Sequence, residues 1–196
     1  MQFFVAPIVE GHGEVFAVPI LLQRVISEQR PDVSLRVNPA IRVKVGSFLG
    51  NPGYFANYLE LAARKVRQHA NGLVLILLDC EDRCPAIVGP QLASAAASVR
   101  SDVPTIIALA HREFETWFVA AARSLRGVRG LPLDLEAPTD PESIRDAKGW
   151  LRSRMNAGYN EPNDQPIFTR MFSLEEASCV PSFARLCRRI RDRLPS

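Results

Sequence analysis

Lysine is scarce in this chain of 196 residues, and histidine is equally rare. The lysines are Lys44, Lys65 and Lys148, so nearly all of the positive charge is arginine, much of it after Arg100. A net charge of +3 is too small to indicate nucleic-acid binding by itself. Arginine suits bidentate contacts to phosphate, but an arginine-rich composition is equally explained by the base bias of a genome.

Long apolar runs are also missing, and none approaches the roughly 20 residues that a membrane span requires. The apolar start has no basic leader and runs into Glu10 rather than into a small-residue cleavage site. The cysteines show no zinc-like spacing with histidine, so we expect reduced thiols. These absences predict a cytoplasmic protein that does not contact the membrane.

Two common catalytic motifs are absent as well. The chain has no Gly-x-x-x-x-Gly-Lys-Ser/Thr loop, so any ATP-driven step would need another protein. It has no Gly-x-Ser-x-Gly turn, and Cys80 has no histidine nearby in sequence that could activate it. The sequence therefore does not support a P-loop ATPase or a serine or cysteine hydrolase.

What the chain does have is an alternation of apolar runs and amphipathic segments. An apolar run bounded by turn residues is typical of a strand buried on both faces, and a 3.6-residue apolar stripe is typical of a helix. The predicted strands are 3–9, 34–45, 73–78 and 103–109, and the predicted helices are 14–29, 54–69, 85–100 and 112–122. A loop is predicted over 46–53. Pro39 interrupts the second strand, which indicates an edge or bulged strand. The alternation predicts an α/β fold with a mainly parallel sheet flanked by helices.

The composition changes to glycine, proline and aspartate near 127–139. We therefore predict an α/β domain over 1–126 and a helical C-terminal extension over 127–196 that packs on it. A loop is expected through Pro166, followed by two short helices. The last, 182–194, has apolar residues on one face and arginines around the rest. Those arginines would either follow a phosphate backbone or be solvated or face a partner protein.

Acidic side chains follow two of the predicted strands. Glu10 comes directly after the first strand in the sequence Glu-Gly-His-Gly-Glu, and Asp79 and Glu81 follow the strand 73–78. Ligands bind at the carboxyl ends of the strands in open parallel sheets. Carboxylates that meet there repel one another unless a cation lies between them. Their convergence predicts a divalent metal ion, Mg²⁺ or Mn²⁺, and hence phosphate chemistry.

Neighbouring acids have more than one interpretation. Glu14 either adds a ligand or is a helix-start acid that suits the helix dipole. Glu113 and Glu115 lie just past the fourth predicted strand and could add a ligand at the same sheet edge. Glu115 is thus either a functional acid or part of the polar face of a helix. Asp79 and Glu81 are two residues apart, so in extended chain both would point toward one ion.

These residues carry a family resemblance. Glu10-Gly11-His12-Gly13-Glu14 and Asp79-Cys80-Glu81 resemble the topoisomerase–primase (Toprim) pattern of a glutamate in a glycine turn and a later Asp-x-Asp. The segment 112–118 is similar to the Toprim domains of overcoming-lysogenization-defect nucleases. The chain most resembles the Toprim-like domain-of-unknown-function family 4276, which often accompanies an ATPase, and 159–169 resembles the tail of that family. The chain departs from the Toprim pattern in having Asp-x-Glu for Asp-x-Asp.

The resemblance implies roles for individual residues in a two-metal phosphodiester cleavage. Glu10, Asp79 and Lys148 are expected to be catalytic, with Lys148 corresponding to a late lysine of the related nucleases. The expected metal ligands are Glu10, Glu14, Asp79, Glu81 and Glu115.

The expected function is therefore a metal-dependent nuclease acting on DNA or RNA, working with a separate ATPase subunit in phage or plasmid defence. The alternative is a non-catalytic module that binds a protein or a nucleotide, which the Asp-x-Glu variant favours. A mononucleotide site at Gly11-His12-Gly13 is disfavoured, because Glu10 and Glu14 would repel its phosphate.

Overall fold

The computed structural model of the chain describes residues 1–195. The strands are β1 (Gln2–Val9), β2 (Ser34–Val37), β3 (Ile41–Arg42), β4 (Gly72–Asp79) and β5 (Thr105–Ala110). All pair in parallel in the order β2-β1-β4-β5, with β3 also beside β1. The predicted fold class, a parallel α/β sheet flanked by helices, is confirmed.

The predicted edge strand is interrupted, as Pro39 led us to expect. β2 pairs with the first half of β1, and β3 pairs with Ile8 and Val9 at its end. The two short segments thus share one position in the sheet, and the chain around Pro39 leaves the ladder between them. A proline has no N–H to donate, so it is best tolerated at a break in an edge strand, where no ladder hydrogen bond is lost.

Helices connect the strands and form most of the second half of the chain. They are α1 (His12–Gln29), α2 (Val45–Gly50), α3 (Pro52–Val66), α4 (Pro85–Val99), α5 (Thr116–Ala120), α6 (Ala147–Arg152), α7 (Glu161–Met171), α8 (Leu174–Ala177) and α9 (Pro181–Arg191). Short 3₁₀ turns lie at Ala122–Leu125, Val128–Gly130 and Pro141–Ser143. Within the part of the chain that the structure describes, none of the helices combines the length and the hydropathy that a bilayer span requires.

Side chains alternate between the two faces of the sheet, as the two-residue period of a strand requires. In β4, Leu73, Leu75 and Leu77 enter the larger core, which includes residues of α1, α7 and α9. Val74 and Ile76 enter a second core that includes residues of α3 and α4. Both faces are therefore apolar and covered, and the polar groups of the central strands are confined to their ends.

Three local predictions are wrong. Residues 46–53 were expected to form a loop, but Val45–Gly50 is the short helix α2, which buries Phe48. The helix predicted over 112–122 is limited to α5, because Arg112 is left-handed with φ of 64° and cannot continue a helix. The loop predicted through Pro166 is instead the helix α7, whose N-terminus is capped by the side chain of Asn160.

The C-terminal helices complete the larger core. Phe168, Phe172 and Phe183 are fully buried in the same apolar cluster as the side chains of β1 and β4. The apolar face of α9 is buried, whereas Arg185 and Arg188 are exposed. Arg189 donates a hydrogen bond to the carbonyl oxygen of Ile107 in the edge strand β5. The C-terminal segment thus packs directly on the sheet.

Candidate active site

The site lies where β1 and β4 end side by side. The two strands are parallel, and Val9 pairs with Leu77, so Glu10 and Asp79 leave the sheet at the same edge. The N-terminus of α1 begins at this edge, and α6 and α7 approach it from the C-terminal half. The proximity that we inferred from two acidic strand ends follows directly from this parallel pairing.

Asp79 is buried at the end of β4, with 8% of the residue exposed. Its Oδ1 accepts a hydrogen bond of 2.7 Å from the backbone N–H of Phe114, and its Oδ2 is 3.7 Å from Nζ of Lys148. Burial, together with the nearby charges of Glu14 and Glu115, holds the pKa of Asp79 well above its usual range. The first of these contacts fixes the carboxylate, and the second directs its other oxygen to the centre of the site.

Glu14 has a structural role that the sequence already suggested. Its Oε2 accepts hydrogen bonds from the backbone N–H groups of Glu10, at 3.0 Å, and Gly11, at 3.1 Å. It therefore caps the start of α1. Burial is the largest cause that raises the pKa of Glu14 to about 8, and the charge of Glu115 adds to it. Its second oxygen, Oε1, is not used by the cap.

Glu115, the residue immediately before α5, is fully buried. Its Oε1 accepts hydrogen bonds from the hydroxyl of Tyr159, at 2.8 Å, and from Nε2 of Gln165, at 3.1 Å. Its Oε2 has no hydrogen-bond partner among the described residues and is 3.8 Å from Nζ of Lys148. Burial raises the pKa of Glu115 to about 7, although Lys148 acts in the opposite direction. Glu115 is thus an interior acid of the site and does not lie on the polar face of a helix.

Lys148 places its ammonium among these carboxylates. Its Nζ is 3.3 Å from Glu161, 3.7 Å from Asp79, 3.8 Å from Glu115 and 3.9 Å from Glu113. Burial disfavours the charge of Lys148, but the surrounding carboxylates outweigh burial and raise its pKa. Lys148 therefore remains an ammonium and neutralises part of the negative charge.

Glu10 and Glu81 form the outer part of the site. Glu10 is half-buried, and within residues 1–195 its Oε2 has no hydrogen-bond partner. Burial and the negative charge of Glu81 raise the pKa of Glu10. Glu81 is exposed and lies 3.3 Å from Nη1 of Arg83. The extended chain that we assumed for Asp79–Glu81 ends at Asp79, because Glu81 is left-handed with φ of 50°.

The glycine turn between β1 and α1 allows a neighbouring helix to approach closely. Gly11 has φ of −79°, and Gly13 is not among the residues with positive φ, so neither needs left-handed backbone. A Cβ on Gly13 would lie 2.4 Å from Oε1 of Gln165 and 2.7 Å from the carbonyl oxygen of Glu161. Glycine is required here because α7 packs closely against the start of α1.

The residues that our prediction missed come from α7 and the turn before it. They are Tyr159, Glu161 and Gln165, which contact Glu115 or Lys148. Glu113 was considered only as an additional acid, and its Oε2 accepts the backbone N–H of Lys148 at 3.1 Å. The segment 159–165 had been noticed for its family likeness, but a predicted loop gave no reason to place it at the sheet edge.

The donor set of this site fits a hard divalent cation. It consists of carboxylate oxygens, which Mg²⁺ and Mn²⁺ prefer, and Oε2 of Glu10 and of Glu115 are buried without a partner. In the arrangement that residues 1–195 adopt, however, no three histidine, cysteine, aspartate or glutamate side chains enclose a metal position. For an ion to bind here, side chains would have to reorient and Lys148 would have to give up part of its contacts.

Comparison with known proteins gives one match. A model of a domain of unknown function, DUF4276, matches residues 9–191. Neither a curated protein nor a solved structure matches the chain.

Proposed function

The chain belongs to the DUF4276 family, and we propose that it is a Mg²⁺- or Mn²⁺-dependent nuclease that hydrolyses phosphodiester bonds of DNA or RNA. The proposal rests on one observation, which is the excess of carboxylates over cations at the carboxyl ends of β1 and β4. Seven acids contribute to the site and Lys148 lies among them: Glu10, Glu14, Asp79, Glu81, Glu113, Glu115 and Glu161.

This excess of charge is costly unless a further cation enters. Asp79, Glu14 and Glu115 are buried, and isolated buried carboxylates take up protons rather than stay charged. The raised pKa values of these three acids reflect the free-energy cost of burying their negative charge. Buried acids in excess are hard to explain as a contribution to stability alone, and they cluster at functional sites far more often than elsewhere.

The position of each residue in the site indicates its role. Asp79, Glu10 and Glu115 would hold the ion with their free oxygens, Glu81 would join from the rim, and Glu14 would contribute Oε1. A bound divalent ion would polarise the phosphate and lower the pKa of a water molecule. Lys148 carries the charge to stabilise a phosphate that gains negative charge, and its tether on α6 keeps it near Asp79. Glu10, with its raised pKa, is suited to accept or donate a proton.

We also propose that the chain is related to Toprim domains. The parallel sheet and the two acidic strand ends support it, with Glu10 after β1 and Asp79 at the end of β4. We also propose that the protein acts in the cytoplasm with a separate ATPase subunit in phage or plasmid defence. The chain lacks a nucleotide-binding P-loop of its own, so ATP hydrolysis would have to come from such a partner.

A cleavage assay tests the proposal. Plasmid DNA and a labelled RNA are incubated with the pure protein and Mg²⁺ or Mn²⁺, and Asp79→Asn serves as the site variant. Asparagine can still accept the hydrogen bond from Phe114, so the fold is kept while the charge is lost. Asp134→Asn is the matched control, because Asp134 is exposed on a loop. Cleavage that Asp79→Asn abolishes and Asp134→Asn retains supports the proposal; cleavage that is equal in both variants contradicts it.

The arrangement of Lys148 favours a second candidate function, a non-catalytic module that binds a protein or a nucleotide. Lys148 already lies within 3.3–3.9 Å of Glu161, Asp79, Glu115 and Glu113. An internal ammonium can hold such a cluster together without any metal. Under this alternative, divalent ions produce no heat that depends on Asp79, whereas the nuclease proposal requires such a signal.

A further inference from the structure

A cavity of about 540 Å³ lies between α2, α3 and α4, on the side of the sheet where the second core packs. Its walls are mainly apolar and include Phe48, Phe55, Val88, Leu92 and Ala95. The volume lies within the range of small-molecule sites, about 300–1,000 Å³. None of the seven acids of the candidate active site lines this cavity.

Arg83 connects this cavity to the candidate active site. It lines the cavity, and its Nη1 is 3.3 Å from Oε2 of Glu81. Its positive charge also reaches Glu10, where it acts to lower the pKa of that carboxyl. A ligand in the cavity that carried an anionic group at this end would therefore meet Arg83 and lie beside the acids.

The polar groups of the cavity suit a ligand with both apolar and hydrogen-bonding parts. Gln91 and Ser98 line it together with the apolar residues. Such walls contact the faces of a flat ring and leave a few donors and acceptors for its edge. A guanidinium fits a phosphate by paired hydrogen bonds and charge. An aromatic base joined to a phosphate matches these features, whereas an apolar peptide segment would leave Arg83 without an anionic partner other than Glu81.

We propose that this cavity binds the base and sugar of one nucleotide of the substrate, with the phosphate of that nucleotide on Arg83. The inference rests on the proposed function and specifies its substrate: a base can enter the cavity only when it is unpaired. Single-stranded or frayed ends are therefore bound in preference to intact duplex. The phosphate competes with Glu81 for Arg83, so a bound substrate leaves Glu81 free to turn toward Glu10.

The test uses fluorescent N-methylanthraniloyl derivatives of AMP and of adenosine, titrated into the full chain in EDTA. Ala95→Trp fills the cavity and is expected to weaken binding of both probes by about tenfold or more. Ser98→Trp, at an exposed position of the cavity wall, is a second filling variant that disturbs the core less. Ala97→Trp is the control, because Ala97 is exposed on the same helix and does not line the cavity.

Arg83→Gln distinguishes the contribution of the phosphate to binding from that of the base. It is expected to reduce the affinity for the AMP probe to that for the adenosine probe and to leave the adenosine probe unaffected. Because the titration is performed in EDTA, binding of the probes does not require the metal site, so the assay remains informative even if the metal site fails. Equal binding by the Ala95→Trp, Ser98→Trp and Ala97→Trp variants overturns the proposal, as does no binding of either probe at millimolar concentration. An apolar peptide that binds in the cavity while both probes fail also overturns it.

Discussion

The hydroxyl of Tyr159 donates a hydrogen bond of 2.8 Å to Oε1 of Glu115, a contact across 44 residues between α5 and the turn before α7. It joins the C-terminal half of the chain to the acid that lies deepest in the candidate site. Removing the donor by Tyr159→Phe leaves a buried carboxylate with one fewer partner. We expect a loss of about 1–3 kcal/mol in the free energy of unfolding.

The loss in Tyr159→Phe should depend on pH. The hydrogen bond from Tyr159 favours the charged form of Glu115, whose pKa is about 7. Urea unfolding at pH 8 should therefore show a larger loss than at pH 6. The same substitution in a Glu115→Gln background should have a smaller effect at pH 8, and an equal effect in both backgrounds would contradict a specific contact.

The stability of the metal-free protein should fall between about pH 5 and pH 8. Glu14 and Glu115 have folded-state pKa values of about 8 and about 7, both above the value of roughly 4.3 in an unfolded chain. The folded protein then binds more protons than the unfolded one in this range, so the free energy of unfolding decreases as pH rises. For Glu115 alone the decrease over the whole titration is at most about 4 kcal/mol, at 1.36 kcal/mol per pKa unit.

Chemical denaturation in EDTA at several pH values measures this decrease. Glu115→Gln should flatten the pH dependence, because glutamine is neutral at every pH. Mg²⁺ at saturating concentration should restore stability mostly at pH 8, where the acids are deprotonated. Stability that rises steadily from pH 5 to pH 8 in EDTA would falsify this assignment.

Lys148→Met should destabilise the metal-free protein by about 1–3 kcal/mol, because the surrounding acids lose an ammonium. The acids should take up protons in response, which limits the loss. Mg²⁺ should then raise the melting temperature of this variant more than that of the wild type, since a cation that enters no longer competes with Lys148. Lys44→Met, at an exposed position, should match the wild type in both respects. A variant that gains nothing from Mg²⁺ supports the non-catalytic alternative.

Glu81→Gly should keep or raise stability and lower activity. A non-glycine residue at φ of 50° is strained, and glycine relieves that strain by roughly 1 kcal/mol. We therefore expect the variant to unfold at an equal or higher urea concentration while its metal-dependent cleavage falls. Glu81→Gln keeps the strain and removes the charge, so it should lose activity without the gain in stability. Full cleavage activity in Glu81→Gly would show that Glu81 is not part of the site.

The parts of the site that could be predicted are those that a strand positions. Glu10 and Asp79 follow apolar runs whose parallel pairing places their ends together, and this required only the pattern of the runs. Glu161 and Gln165 could not be placed in this way, because their position depends on how α7 packs against α1. Pro166 also favoured a loop, yet it lies inside α7, whereas Pro162 lies in the first turn, where its missing N–H costs little.

Local backbone geometry accounts for the other misses. Sequence periodicity predicted a helix through Arg112 and an extended Glu81, but both residues are left-handed, with φ of 64° and 50°. The backbone N–H of Glu81 donates to the carbonyl oxygen of Arg112, so these two turns support each other across the sheet edge. A contact of this kind between distant segments does not produce a periodic pattern in the sequence, so periodicity cannot predict it.

Calorimetric titration of Mn²⁺ tests the central claim most directly, because it needs neither a substrate nor an ATPase partner. It is performed at pH 8 with the wild type, Asp79→Asn, Glu10→Gln and the exposed control Asp134→Asn. We predict saturable binding by the wild type and Asp134→Asn, weakened about tenfold or more in Asp79→Asn and Glu10→Gln. Absence of binding to the wild type, or binding that is the same in all four proteins, would contradict a metal site at the ends of β1 and β4.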